Sequence, residues 1–181
     1  MNIQLSQDEN RRRWRKRSYL ELDKKQREQF NLQRLEGILA DYGYQCIRLS
    51  TDWNGADFLA QSFFDQSTLL VQLKAVLTIS TRYVEKNIYM AFPLAESNDW
   101  ILIPHDTLLE KVKLFCPSYL KTKSWSRGGY STAKPPKKLI SALQEYRLDS
   151  AMSESLAGRL SKNRKKQYHK RGIQKCLSTV E

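Results

Sequence analysis

Gly55-Ala56-Asp57-Phe58 and, a short way further on, Val71-Gln72-Leu73-Lys74-Ala75 are the two most informative stretches of this chain. A glutamine and a lysine two apart sit inside the otherwise apolar run from Leu69 to Leu77. In a strand, residues two apart project to the same face, so Gln72 and Lys74 should point together. A lysine in such a setting calls for a nearby carboxylate, because an unpaired buried charge is expensive. Asp57 is the natural candidate. Residues 56–62 and 68–76 both read as strands, rich in apolar and β-favouring side chains. Phe64-Asp65-Gln66-Ser67 reads as the polar turn between them. Antiparallel pairing about the centre of that turn sets Asp57 opposite Leu73 or Lys74. A one-residue slip would change the face that Asp57 shares.

Upstream of these strands, Ser18 to Tyr42 reads as a helix, with Phe30, Leu35, Ile38, Leu39 and Tyr42 at helical spacing and Gly43 as its stop. Tyr44–Ser50 reads as a strand. Asn54-Gly55 is a strong signal for a tight hairpin leading into the Asp57 strand. Downstream, Ile88–Phe92 and Trp100–Ile103 read as two short strands and Asp106–Leu114 as a helix. Lys121 to Lys138 mixes basic residues, aromatics and glycines and reads as a loop suited to close approach to a phosphate backbone. Lys137–Leu148 is expected to be helical, and Ser150 caps a last helix through Leu160. One helix, a three-strand meander, then further strands and helices make an α/β fold.

This order and these residues resemble the PD-(D/E)xK nuclease superfamily over about Phe30 to Pro104. Asp57 corresponds to the family aspartate, with Ala56 in place of the proline. Lys74 corresponds to the family lysine. Gln72 stands where an acid is usual, and Glu36 corresponds to the glutamate of the preceding helix. The resemblance implies a restriction-endonuclease-like core, a mixed β-sheet flanked by helices, here carrying basic N- and C-terminal arms. It further implies magnesium, with manganese able to substitute, because hard cations take oxygen ligands. Asp57 would be the charged ligand, with the Gln72 side-chain carbonyl and the Leu73 backbone carbonyl as neutral ones. Glu36 would act directly or through water, and Lys74 would orient or deprotonate the attacking water. The implied activity is hydrolysis of DNA phosphodiesters, of the restriction or homing type. The alternatives are a structure-specific resolvase of the Holliday-junction type and a non-catalytic DNA-binding protein on the same fold. Many proteins of this fold work as dimers, so a homo-oligomer is expected.

Charge supports a polyanionic partner. The 181 residues carry a formal net charge of +12. The segment from Glu36 to Glu110 is net acidic, so the excess lies in the flanks. An acidic centre between basic ends is the distribution expected of a cation site inside a nucleic-acid cleft, and also of a solvated basic tail on an ordinary domain; the resemblance implies double-stranded DNA as the partner. The expected phosphate contacts are Arg11, Arg12, Arg13, Arg15, Lys16 and Arg17 in an N-terminal arm. To these are added Lys121, Lys123, Arg127, Lys134, Lys137 and Lys138 in the basic loop, and Arg164, Lys165 and Lys166 in the tail. The expected organisation is an arm over 1–17, a core over 18–150 and a basic helical or disordered tail over 151–181.

Three widely spaced cysteines, Cys46, Cys116 and Cys176, argue against a disulfide framework or a zinc site. Cys46 is expected in the core. His105, after Pro104 at a helix start, is expected at the surface. No apolar stretch approaches a membrane span and the N-terminus lacks a signal-peptide core, so an intracellular protein is expected.

Overall fold

The computed structural model describes residue 11, residues 13–94, residue 97 and residues 99–149. The expected helix after Ser150 and the tail residues Arg164, Lys165 and Lys166 lie outside the described residues, as does Arg12.

The first helix, α1 (Lys24–Asp41), is shorter than the sequence pattern implied. Asp23 accepts from the Gln26 backbone N–H while the Gln26 side chain accepts from Asp23 N, a capping box that fixes the start. Ser18 instead caps a separate 3-10 turn at Tyr19–Glu21. Past Tyr42 the chain enters the left-handed region at Gly43, with φ of 78°, and leaves the helix.

Strands β1 (Tyr44–Trp53), β2 (Ala56–Ser62) and β3 (Thr68–Leu73) then form an antiparallel meander. The Asn54-Gly55 turn has φ of 56° and 95°, so both central residues are left-handed and Trp53 pairs with Ala56. That is the tight hairpin geometry expected of an Asn-Gly pair. β4 (Leu77–Ser80) leaves this sheet, β5 (Ile88–Pro93) returns parallel to β3, and β6 (Trp100–Pro104) pairs antiparallel with β5. α2 (His105–Phe115), α3 (Lys123–Ser126), β7 (Gly129–Thr132), α4 (Lys137–Ala142) and β8 (Arg147–Leu148) complete the described chain. The six-stranded sheet has the order β1-β2-β3-β5-β6-β8, and β4 with β7 makes a separate two-stranded ribbon. This is the α/β fold with a mixed sheet flanked by helices that the sequence led us to expect.

Alternation along the strands gives the sheet two buried faces. Leu35, Ile38 and Leu39 of α1 pack on Phe58, Ala60, Val71, Leu73, Ala91 and Trp100. On the other face, Met90, Phe92, Ile101 and Ile103 pack with Leu108 and Val112 of α2 and with Leu139 and Leu143. A fully buried side chain such as Phe58 or Ile103 contributes about 1.5–3 kcal/mol relative to exposure.

Three expectations on local structure are corrected. The segment 121–138 is not one loop: Leu77–Ser80 pairs with Gly129–Thr132 across it, with Thr78 Oγ1 and Ser131 Oγ 2.9 Å apart. The helix expected through Leu148 stops at Ala142, and Arg147–Leu148 pairs with β6 instead, where Arg147 forms an ion pair with Asp99. The strand expected through residue 76 ends at Leu73, and the chain turns away over Lys74-Ala75-Val76 to start the ribbon.

Candidate functional site

The β2–β3 turn lies one residue earlier than its polar residues indicated. Ser62 N donates to Ser67 O at 2.8 Å, so the reversal is built on Phe63-Phe64-Asp65-Gln66, with Gln66 at φ of 59°. Phe58 therefore pairs with Val71, and Asp57, one step further, comes beside Gln72 rather than Leu73 or Lys74. Alternation turns Phe58 and Val71 into the α1 face and leaves Asp57 and Gln72 on the opposite one.

Asp57, Gln72 and Leu73 meet at this end of the strand pair. One oxygen of the Asp57 carboxylate accepts from Leu73 N at 2.9 Å and from the Gln72 side-chain amide. The same amide nitrogen also donates to Leu73 O at 3.3 Å. Gln72 Oε1, turned the other way, accepts from the Tyr83 hydroxyl at 3.1 Å. Gln72 is 5% exposed and Tyr83 4%, whereas Asp57 is exposed to solvent. The result is a carboxylate at the surface whose inner side is held by buried, fully hydrogen-bonded groups.

Lys74 follows at the strand end, its backbone N–H on Ala91 O at 2.8 Å and its Nζ 5.9 Å from the centre of the Tyr83 ring. The Arg82 guanidinium lies 5.7 Å from the same ring. Such placements over an aromatic face are attractive and put two positive charges around Tyr83. Gly55 makes the approach of that ring possible: a Cβ there would stand 2.9 Å from Tyr83 Cε1 and 3.0 Å from Ile88 Cδ1.

Glu36 is not joined to this group. Its carboxylate pairs with Arg48 at 3.2 Å, and Arg48 also donates to Gln29 at 2.8 Å. Arg48 pairs with Phe58 across β1 and β2, which sets the ion pair on the helix side of the sheet. Burial, with Glu36 next in importance, pushes the nearby Cys46 thiol up to about 11, so this half-buried cysteine stays protonated at neutral pH.

His105 is not at the surface as expected: it is 1% exposed. Its Nε2 accepts from Ser80 N at 3.1 Å, which makes Nδ1 the protonated nitrogen, donating to Asp106 Oδ1 at 3.3 Å. Burial lowers its pKa below the ordinary value, against the raising effect of Asp106. Its ring meets the Tyr83 ring edge-on at 5.6 Å. Sequence reading missed both Tyr83 and His105 as supports of the site. Neither belongs to a motif, and both act through contacts made only in the fold.

The basic side chains Arg11, Arg13, Arg15, Lys16 and Arg17 are exposed, as are Lys121, Lys123, Arg127, Lys134, Lys137 and Lys138. In the chain Lys121, Lys123 and Arg127 precede β7 and Lys134, Lys137 and Lys138 follow it, and β4, the partner of β7, begins three residues after Lys74.

Among the described residues, no three His, Cys, Asp or Glu side chains cluster, so a cation here would have to draw on amide and backbone oxygens as well. The donors at the β2–β3 end are one carboxylate, one amide and one backbone carbonyl. All contain oxygen and only one is charged, a chemistry that suits a single hard divalent cation and no soft one, although as the group stands the Gln72 oxygen is turned to Tyr83 and its nitrogen faces the other two. The fold and this site define an α/β protein with a solvent-facing oxygen cluster at the end of a strand pair, flanked by a lysine.

No family profile matches the sequence, and no curated protein matches it. Among solved structures the chain is similar to a bacterial homing endonuclease, I-Ssp6803I, at 11% identity over 80% of this chain and 98% of that chain, with a TM-score of 0.40. That likeness is too distant to carry a function across. No helix among the described residues is long and apolar enough to cross a membrane.

Proposed function

We propose that this protein is a magnesium-dependent DNA endonuclease that hydrolyses phosphodiester bonds at the Asp57–Gln72–Lys74 cluster, acting as a restriction or homing enzyme on double-stranded DNA. The observation that carries this reading is the convergence of the Asp57 carboxylate, the Gln72 amide and the Leu73 carbonyl, with Lys74 leaving the same strand end. In this reading those three groups would hold the cation, Gln72 through its side-chain oxygen. When bound, magnesium or manganese supplies Lewis acidity toward a phosphodiester oxygen. Asp57 provides the charge that retains the cation at the surface. Lys74 orients the attacking water and offsets the charge that grows on the phosphate. Glu36 is left out of the oxygen set because Arg48 engages its carboxylate. Arg82 and the exposed basic residues that flank β7 in the chain position the DNA backbone.

A second reading, a DNA-binding protein without catalysis, is favoured by one feature: the Gln72 amide already satisfies Asp57 without a cation. The two readings separate on a pooled random DNA library incubated with the protein and magnesium and read by sequencing. Cleavage at a defined motif supports a site-specific enzyme, and cleavage confined to branched substrates moves the assignment to a resolvase. Retention of DNA with no cleavage under any divalent cation selects the binder and rejects the nuclease.

A further inference from the structure

We propose that Gln72 is a two-position amide, rotated by cation binding, and that Tyr83 is the positioning residue that makes both positions stable. This deepens the proposed function and rests on its reading of Asp57 and Leu73 as cation ligands. The observation behind it is the orientation of the amide. Nitrogen, not oxygen, faces the Asp57 carboxylate and the Leu73 carbonyl, while Oε1 faces the Tyr83 hydroxyl. Without a cation that orientation is the favourable one. The reverse would crowd three oxygens together with the Leu73 N–H, already on Asp57, as the one donor among these groups.

A cation among those oxygens inverts the preference. Donor nitrogen becomes repulsive and acceptor oxygen becomes a ligand. A half-turn about the last side-chain torsion exchanges them, and that torsion is soft in glutamine. The exchange would fail in a buried site if it left a polar group orphaned. Gln72 is 5% exposed, so the partner at the far end of the amide decides the matter. Tyr83 is suited to it because a phenol hydroxyl both donates and accepts. In the structure it donates to Oε1. After rotation it accepts from Nε2 without moving its ring. That ring is held by the edge contact with His105 and by the bare Cα of Gly55.

The arrangement also explains why a glutamine is tolerated where an acid would bind a cation more strongly. A carboxylate at position 72 would face Asp57 as a like charge whenever the cation is absent. The amide gives a protein that is stable empty and still offers a third oxygen when filled.

The test is a side-chain amide NMR titration of the full chain with magnesium chloride, with the Gln72 resonances assigned by their loss in Gln72→Glu. Wild type should lose the downfield amide proton of a carboxylate-bonded N–H and gain a Gln72 signal typical of a phenol acceptor. The Tyr83 ring carbon bearing oxygen should shift in step. Tyr83→Phe keeps the packing but leaves the rotated amide with a buried, unanswered donor. That is costlier than the under-used acceptor it leaves in the empty state. Its magnesium affinity, read by calorimetry, should therefore fall by about three- to tenfold. If magnesium binds and Asp57→Ala abolishes binding while the Gln72 amide signals stay put, the rotation is wrong and the cation site stands. If magnesium perturbs neither Asp57 nor Gln72, the rotation and the cation site fall together. Unchanged magnesium affinity in Tyr83→Phe would remove Tyr83 from its positioning role.

Discussion

Replacing Gln72 by glutamate should make stability depend on pH and on magnesium in a way the wild type does not. The substitution conserves shape but exchanges a donor nitrogen for a charged oxygen against the Asp57 carboxylate. Two unit charges about 4 Å apart at an effective dielectric near 20 repel by about 4 kcal/mol. Asp57 is open to solvent on its outer side, which lowers the cost to about 2–4 kcal/mol. For a chain of this size that corresponds to roughly 5–15 °C in Tm. The sign with pH follows from linkage. The carboxyl pair holds a proton in the folded variant at pH values where the unfolded chain has released it, so folded stability falls as pH rises above the ordinary carboxylate range. Thermal melts in chelator should show the variant close to wild type at pH 5 and clearly weaker at pH 8, and magnesium should restore most of the difference at pH 8. Equal stability of the two proteins at pH 8 in chelator would rule out the close approach of the Gln72 amide to Asp57.

Other outcomes follow from the same geometry. Gly55→Ala should destabilise by about 2–3 kcal/mol, measured by urea denaturation, because φ of 95° is strained for alanine and its Cβ meets Tyr83 and Ile88. His105 is held neutral by burial, so the unfolded chain takes up a proton first as pH falls. Stability should decline as pH drops below about 6.5, and His105→Gln should flatten that slope in melts between pH 7 and 5. Deleting residues 11–17 should reduce the slope of log DNA affinity against log salt, measured by fluorescence anisotropy, since a protein without the arm neutralises fewer phosphates and displaces fewer counterions. A slope unchanged by that deletion would assign the basic arm to another purpose.

The sheet was legible in the sequence where local chemistry and long-range pairing agree. Asn54-Gly55 demands a tight hairpin, and the apolar alternation on either side fixes which residues face α1. The strand ends were less legible. Leu69 to Leu77 is one apolar run in the sequence, yet the chain leaves the sheet at Lys74 because Leu77–Ser80 finds a partner at Gly129–Thr132. No local signal marks Gly-Tyr-Ser-Thr as that partner, and its basic surroundings read as loop. The turn between β2 and β3 formed on Phe63-Phe64-Asp65-Gln66, where Phe63 N is tied to Gly43 O at 2.9 Å, a contact no turn propensity includes. Asp57, Gln72, Leu73 and Lys74 could be singled out because polar residues in an apolar run are costly without a use. Tyr83 and His105 could not, since an aromatic and a lone histidine acquire their roles only from the groups the fold brings against them.

Whether the Asp57 cluster cuts DNA is settled by incubating supercoiled plasmid with magnesium and comparing wild type with Asp57→Ala and Lys74→Ala at matched DNA binding. Wild type should nick or linearise the plasmid, and chelator should abolish that cleavage. Each variant should still bind DNA while its cleavage falls by at least about a hundredfold. Cleavage undiminished in Asp57→Ala would contradict the assignment of this cluster as the catalytic centre.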